Sequence, residues 1–386
     1  MTATGLHDRL QQLGTARFRQ MYRQTRLIAG LGLVVAVGVF CGCAAPRPAT
    51  PLPTTTVAAP TTTDPATVGG SRIGPGPYRV EATVAVGENP RGVAIDPGTH
   101  KAYVAHFADY TDKQSVSVID TRTQTVAATI PVGQVFPQSP QSIAVDPVTH
   151  LVYLVCGNSA GKLLVISPDS HTVTATIEFD GDPAAVVVDP ARSIVYVANR
   201  FSGTVTAIDT VTRAVVATIP VDGHPSGLAI DPTTHDLWVI GAHVSVIDPA
   251  TYTVSTTIQV GDDPEFLAID PQQRTAYVTH FNGHSVSLID IESRTRTDSI
   301  SLGERGHAYA AVIDTTEHTV YLTGLSFHTV TMIDTRTREV TAVRYSGITS
   351  SNKYGSDTLG AAVDPVTHHL YVTNGDTDQI EVISPR

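Results

Sequence analysis

Arg91, His106, Glu265 and His280 stand at corresponding points of a sequence that repeats itself, and Asn199, Tyr309 and Asn374 stand at others. Together they offer cationic and carboxylate groups, amides that donate and accept, and an aromatic ring. That is the set a mouth needs to hold a small polar ligand. Three positions after a recurring aromatic lie His106, Cys156, Asn199, Gly241, His280, Gly324 and Asn374, while Arg91, Gln141, Glu265 and Tyr309 precede a recurring aspartate. Histidines with ordinary titration would make a contact with an acidic or metal-bound ligand sensitive to pH between about 5 and 8. As loop-edge groups they would bury little area, so replacing them would cost little stability. The competing reading is that loops are polar in any case and these are solvated side chains.

Other motifs lack the context their chemistry requires. GNSAG at 157 to 161 spells the GxSxG of a nucleophile elbow, but it stands between two strand-like runs with no helix after it. HFNGH at 280 to 284 has metal-ligand spacing, yet two histidines without a third ligand are a weak signal, and no metal is assigned. CxxCH, HExxH and phosphate-loop patterns are absent, so redox and nucleotide chemistry lose support and no cofactor is called for. Phe107, Phe136, Phe201, Phe281 and Phe327 fall in loops near the polar set.

The elements that must position these residues show as a repeat. An aspartate, usually followed by proline, stands at Asp96, Asp146, Asp189, Asp231, Asp270, Asp314 and Asp364. Seven residues after each comes Tyr103, Tyr153, Tyr196, Trp238, Tyr277, Tyr321 or Tyr371. A third landmark closes runs such as SVSVID and TVTAID, at Asp120, Ser167, Asp209, Asp248, Asp290, Asp334 and Ser384. Valine and threonine in alternation are strand chemistry, and a unit of about 44 residues is the period of a four-stranded propeller blade. The fold expected is all-β, a seven-bladed β-propeller. DPGTH, DPVTH and DPTTH place a side-chain acceptor and a preset φ where a tight turn wants them, so His100, His150, His235, His318 and His368 read as structural. In YVTN the period of two sends Tyr and Thr to one face and Val to the other, so both faces can pack between blades.

Literal YVTN at 371 to 374, with VSVIDTRTQTVAATIPVG at 116 to 133, resembles the YVTN-repeat β-propeller family of exported bacterial and archaeal surface proteins. The likeness runs from residue 79 to 386. It implies a propeller that works as a binding or scaffold module. Neighbouring families carry lactonase or lyase activity, so hydrolase or lyase chemistry at the channel mouth, metal-assisted or not, is the alternative.

With the strands labelled A to D outward from the channel, the A–B and C–D intervals are fixed at seven and thirteen residues. The B–C distance varies from ten (Trp238 to Asp248) to seventeen (Tyr103 to Asp120), and the D–A distance from nine (Asp180 to Asp189) to seventeen (Gly347 to Asp364). In an up-and-down meander these two connections share a face, and length variation gathered on one face marks the binding side. The polar set lies there, at the end of strand B and the start of strand A. YRVEATVAVG at 78 to 87 supplies the outer strand that the last blade lacks, which closes the ring and removes an open edge.

The first 43 residues read as an export leader, with Arg17, Arg19, Arg23 and Arg26 ahead of LIAGLGLVVAVGVF at 27 to 40. FCGC at 40 to 43 resembles a bacterial lipobox with Cys43 as the lipidated residue, although Phe40 and Cys41 depart from it. A cleaved signal and an uncleaved span over 27 to 45 are the alternatives, and Met21 is an alternative start. Residues 44 to 77, rich in Pro, Thr and Ala, make a semi-extended spacer and leave 78 to 386 as the propeller. The 386 residues carry a net charge of −11; removing the leader's five Arg and one Asp leaves 20 basic and 35 acidic residues, a net of −15. That balance opposes nucleic-acid binding. Cys156 is the one cysteine beyond the leader and reads as a buried small hydrophobe. The expectation is a monomeric propeller tethered to a membrane by its N-terminal anchor outside the cytoplasm, holding a small polar ligand or an envelope protein.

Overall fold

Apolar residues in alternation, punctuated by Asp-led turns, fold each repeat into an antiparallel meander whose two faces are both buried. The structure, a computed structural model, describes residues 78–106, 114–133, 142–157, 160–281, 283–303, 308, 310–324, 329–344 and 360–385. The leader, the spacer, Cys43, Gln141, Tyr309, Phe107, Phe136 and Phe327 lie outside the described residues.

Strand β1 is Tyr78–Ala85. Blade 1 is β2 (Pro90–Asp96), β3 (Lys101–His106), β4 (Ser115–Asp120) and β5 (Thr125–Pro131). Blade 2 is β6 (Ile143–Val145), β7 (Val152–Cys156), β8 (Ala160–Ser167) and β9 (Thr172–Asp180). Blade 3 is β10 (Pro183–Asp189), β11 (Ile194–Asn199), β12 (Thr204–Asp209) and β13 (Val215–Pro220). Blade 4 is β14 (Gly227–Ile230), β15 (Leu237–Ile240), β16 (Val244–Asp248) and β17 (Thr253–Ile258). Blade 5 is β18 (Pro264–Asp270), β19 (Thr275–His280), β20 (Ser285–Asp290) and β21 (Thr295–Ser301). Blade 6 is β22 (Ala310–Asp314), β23 (Thr319–Thr323), β24 (Thr329–Asp334) and β25 (Val340–Arg344). Blade 7 is β26 (Ala361–Val363), β27 (Leu370–Asn374) and β28 (Gln379–Pro385), with β1 on its outer edge. The protein is a seven-bladed β-propeller of four-stranded antiparallel blades.

The period of two distributes each strand between two neighbours. In β3, Tyr103 and Ala105 pack with Ile143, Val152 and Leu154 of blade 2. Ala102 and Val104 of the same strand pack with Tyr371, Ile380 and Val382 of blade 7. A buried apolar cluster fills each of the seven blade interfaces. Cys156 is buried in the first of them, as its apolar surroundings predict. The landmark aromatics are buried between blades. Burial pushes the Tyr103, Tyr153 and Tyr277 hydroxyls up to about 12.

The A–B turns are latches between blades. Asp96 Oδ1 accepts the backbone N–H of Gly98 (3.0 Å), and Oδ2 accepts the Thr99 hydroxyl (2.7 Å). The residue four positions after each landmark aspartate has left-handed backbone: His100, His150, Ser193, His235, Arg274, His318 and His368. His150 Nδ1 lies 2.8 Å from Asp96 Oδ2 of the preceding blade, and His368 Nδ1 lies 2.7 Å from Asp314 Oδ2. His235 Nδ1 approaches Asp189 Oδ2 at 3.2 Å. Ring order sets His100 opposite Asp364 and His318 opposite Asp270, and there the same atoms are buried without a hydrogen-bond partner. Arg294 adds a tie on this face, donating to Asp236 Oδ2 of blade 4 at 2.7 Å.

Ring closure follows the expected strand. β1 runs antiparallel to β28, with Tyr78 opposite Pro385 and Val84 opposite Ile380. Tyr78 joins the cluster between blades 6 and 7, edge-on to Tyr321 with centroids 5.7 Å apart, and Val84 joins the one between blades 7 and 1.

Candidate functional site

On the B–C and D–A face the ladder breaks where strand A begins. Its register shifts between Pro90 and Gly92, between Pro183 and Ala185, and between Pro264 and Leu267. Arg91, Ala184 and Glu265 therefore stand in bulges. Proline cannot donate to a ladder, so it fits the first residue of a strand, and a bulge re-aims the side chain that occupies it. Arg91 and Glu265 are half-buried. The Arg91 carbonyl accepts the Thr373 hydroxyl of blade 7 at 3.2 Å, and the Glu265 carbonyl accepts the Ser226 hydroxyl of blade 4 at 3.1 Å.

The residues at the end of strand B are not the loop-edge groups expected. His106 is 2% exposed, and its Nε2 lies 2.8 Å from Ser117 Oγ. His280 is 6% exposed, with Nε2 2.9 Å from Ser287 Oγ and Nδ1 donating to the Asp262 carbonyl at 2.8 Å. Asn199 is fully buried, and its amide donates to Thr206 at 2.8 Å and to Thr204 at 3.1 Å. The reason lies in register. This position is the last paired residue of strand B, as Asn199 opposite Thr204 shows, and its diagonal neighbour on strand C is a hydroxyl residue. Buried polar groups require such partners. Burial pushes His106 down to about 4, so it stays neutral from pH 5 to 8 and is not the switch its ordinary titration would suggest. His280 uses both ring nitrogens, one within its blade and one on the connection that leads into it.

Blade 7 departs from this pattern. Asn374 is buried and its Oδ1 accepts the backbone N–H groups of Asp376 and Thr377. The diagonal position on β28 is Glu381, a buried carboxyl that accepts the Thr83 hydroxyl at 2.9 Å and is pushed up by burial.

Contacts sort the expected residues into two groups. Arg91, His106 and Asn374 belong to the junction of blades 7 and 1, where Asp378 Oδ1 accepts the Asn89 N–H at 2.7 Å. Asn199, Glu265 and His280 belong to blades 3 and 5. The second group brings in residues that spacing alone did not single out. The Arg200 N–H donates to the Asp182 carbonyl at 2.8 Å, and His224 Nδ1 donates to the Arg200 carbonyl at 3.0 Å. Phe201 is 73% exposed and lies edge-on to His224, with centroids 6.1 Å apart. Burial pushes the Glu265 carboxyl up, against the opposing charge of Arg200 and with help from Asp263. Asp182 is likewise raised by burial and opposed by Arg200. A readable signal did exist: Asn89, Asp182, His224 and Asp263 each stand immediately before a proline that leads into strand A.

No protein-family model matches the chain. Over 129 residues it is 32% identical to the seven-bladed beta-propeller protein Rv1057 of Mycobacterium tuberculosis. That match covers 33% of this chain and 31% of the relative, so the chain spans about a third of the length of the curated protein it resembles. The architecture in that name agrees with the seven blades described above.

Proposed function

We propose that this protein is an extracytoplasmic, membrane-tethered propeller of the YVTN-repeat kind that works as a binding or scaffold module through its B–C and D–A face. The observation that carries the reading is the contrast between the two faces. On one, buried aspartates and left-handed turn residues repeat from blade to blade, and His–Asp contacts cross three of the blade boundaries. On the other, bulges set Arg91 and Glu265 at the mouth, and Phe201 and Phe281 stand exposed. Conserving packing on one face and freeing chemistry on the other is how repeat proteins build binding surfaces. The tether rests on the basic-then-apolar leader and on Cys43 as the acylated residue; loss of membrane fractionation in Cys43→Ala checks it.

Hydrolase or lyase chemistry at the mouth would call on His106, His280 and Glu265. Both histidine rings are bonded to hydroxyls inside their blades, which favours the binding reading. The test is photo-cross-linking in intact cells of the native organism, with a photoreactive residue placed at Phe201 or Phe281 and, as controls, at Val148 or Val366 in the exposed turns of the other face. Adducts from 201 and 281 but not from 148 and 366 support the reading. Adducts from the turn positions alone would show that the wrong face has been chosen.

A further inference from the structure

Three charged groups converge above blades 3 to 5 on scaffolding that the backbone holds in place. Asp182 lies in the connection leading into β10, Arg200 directly follows β11, and Glu265 occupies the bulge of β18. The Arg200 N–H is bonded to the Asp182 carbonyl, His224 to the Arg200 carbonyl, and Ser226, two residues on, to the Glu265 carbonyl. Opposite charges this near to one another ordinarily close into ion pairs. Among the described residues none of the three does so, although ion pairs form elsewhere, as between Lys101 and Asp120 at 2.9 Å. Asp182 is 9% exposed, and that burial favours either a neutral carboxyl or a cation beside it.

A second feature points to a missing partner. Asn199 is fully buried, and both of its Nδ2 bonds to threonine hydroxyls set the orientation of the amide. Its Oδ1 faces Gly181, between Asp180 and Asp182, and has no hydrogen-bond partner. A Cβ at residue 181 would overlap that amide. This acceptor, set against the backbone that leads into Asp182, is a buried polar group that the blade leaves unmatched. Phe201 completes the surroundings as a largely exposed aromatic surface held against His224.

We propose that this sector of the mouth binds a small zwitterion, a free amino acid or short peptide, with its carboxylate on Arg200, its ammonium between Asp182 and Glu265, and an apolar side chain over Phe201. A wholly acidic site would select amines and a wholly basic one would select acids. Carboxylates flanking a guanidinium disfavour both single charges: an acid leaves the buried Asp182 and half-buried Glu265 unmatched, and an amine forgoes the exposed Arg200 guanidinium. Arg200 supplies the planar donor geometry that suits a carboxylate. Burial raises both flanking acids, so affinity for the ammonium is expected to fall as pH is lowered and they become neutral. The inference rests on the binding reading above and gives that face a ligand class.

The test is titration calorimetry on the full-length protein in detergent with four probes: L-phenylalanine, the dipeptide Phe-Gly, phenethylamine and 3-phenylpropionate. One or both zwitterions should bind, with the single-charge probes at least tenfold weaker. Arg200→Ala and Glu265→Gln should each weaken the zwitterion about tenfold or more, with the thermal melt unchanged. Phenethylamine or phenylpropionate binding as tightly as L-phenylalanine would overturn the proposal, as would no binding by either zwitterion. If the zwitterions fail while position 201 still yields cross-links in cells, the face reading stands and the ligand class falls. If both fail, both readings fall.

Discussion

At the scale of residues, a polar side chain is defined by what lies across the ladder from it. His106 ends β3 against Ser117 and carries its proton only near pH 4, whereas an unfolded histidine takes one up near 6.5. Its folded pKa is depressed, so the unfolded chain binds more protons between those values. The contribution to stability is present above pH 6.5 and is lost as pH falls towards 4, amounting to roughly 3 kcal/mol at most. His106→Asn places there the residue that ends β11 and β27, and should flatten this part of the pH dependence. Urea denaturation at pH 7 and pH 4 measures it, and equal losses in wild type and variant would refute the assignment. The burial of His106 was not legible from its spacing. Counting three residues past Tyr103 finds the end of a strand, but it does not reveal that the connection at Gly87 folds against the ring, where a Cβ would lie 3.1 Å from His106 Cγ.

At the scale of elements, intervals carried more information than residue types. Seven residues from Asp96 to Tyr103 is one hairpin, and its constancy made the blade count, the meander and the closing strand readable. The mouth was readable only in outline, because a bulge changes which side a residue takes without changing the count between landmarks. Glu265 was found by position. Its companions Asp182 and Arg200 were not, since they meet just beyond the last ladder pair of β10 and β11, outside the positions that the spacing marks. Closure can be tested as an element. Deleting 78–87 removes β1, strips β28 of its ladder partner and opens two apolar clusters, so the loss should far exceed the ~1 kcal/mol of a typical single substitution. Deleting 50–65 should leave the melt unchanged. Calorimetric scans of the two deletions check this, and equal melting temperatures would contradict closure by β1.

At the scale of the whole molecule, the ring divides its labour between two faces. One is occupied by turn-capping aspartates, by three histidines that reach them across blade boundaries and by Arg294 on Asp236, and it holds the ring together. The other tolerates connections of different length and leaves Arg200, Phe201 and Glu265 outside the ion pairs and blade-interface clusters among the described residues. The thermal melt of two triple variants tests this division most directly. His150, His235 and His368 replaced together by alanine remove two hydrogen bonds and one close approach to buried carboxylates, each worth about 1 kcal/mol, and should lower the melting temperature by roughly 5 to 10 °C. Arg200, Phe201 and Glu265 replaced together by alanine should leave it within about 2 °C, since none of them makes an ion pair or fills a blade interface among the described residues. A ring that melts early without its mouth residues, and normally without its three histidines, would contradict the account.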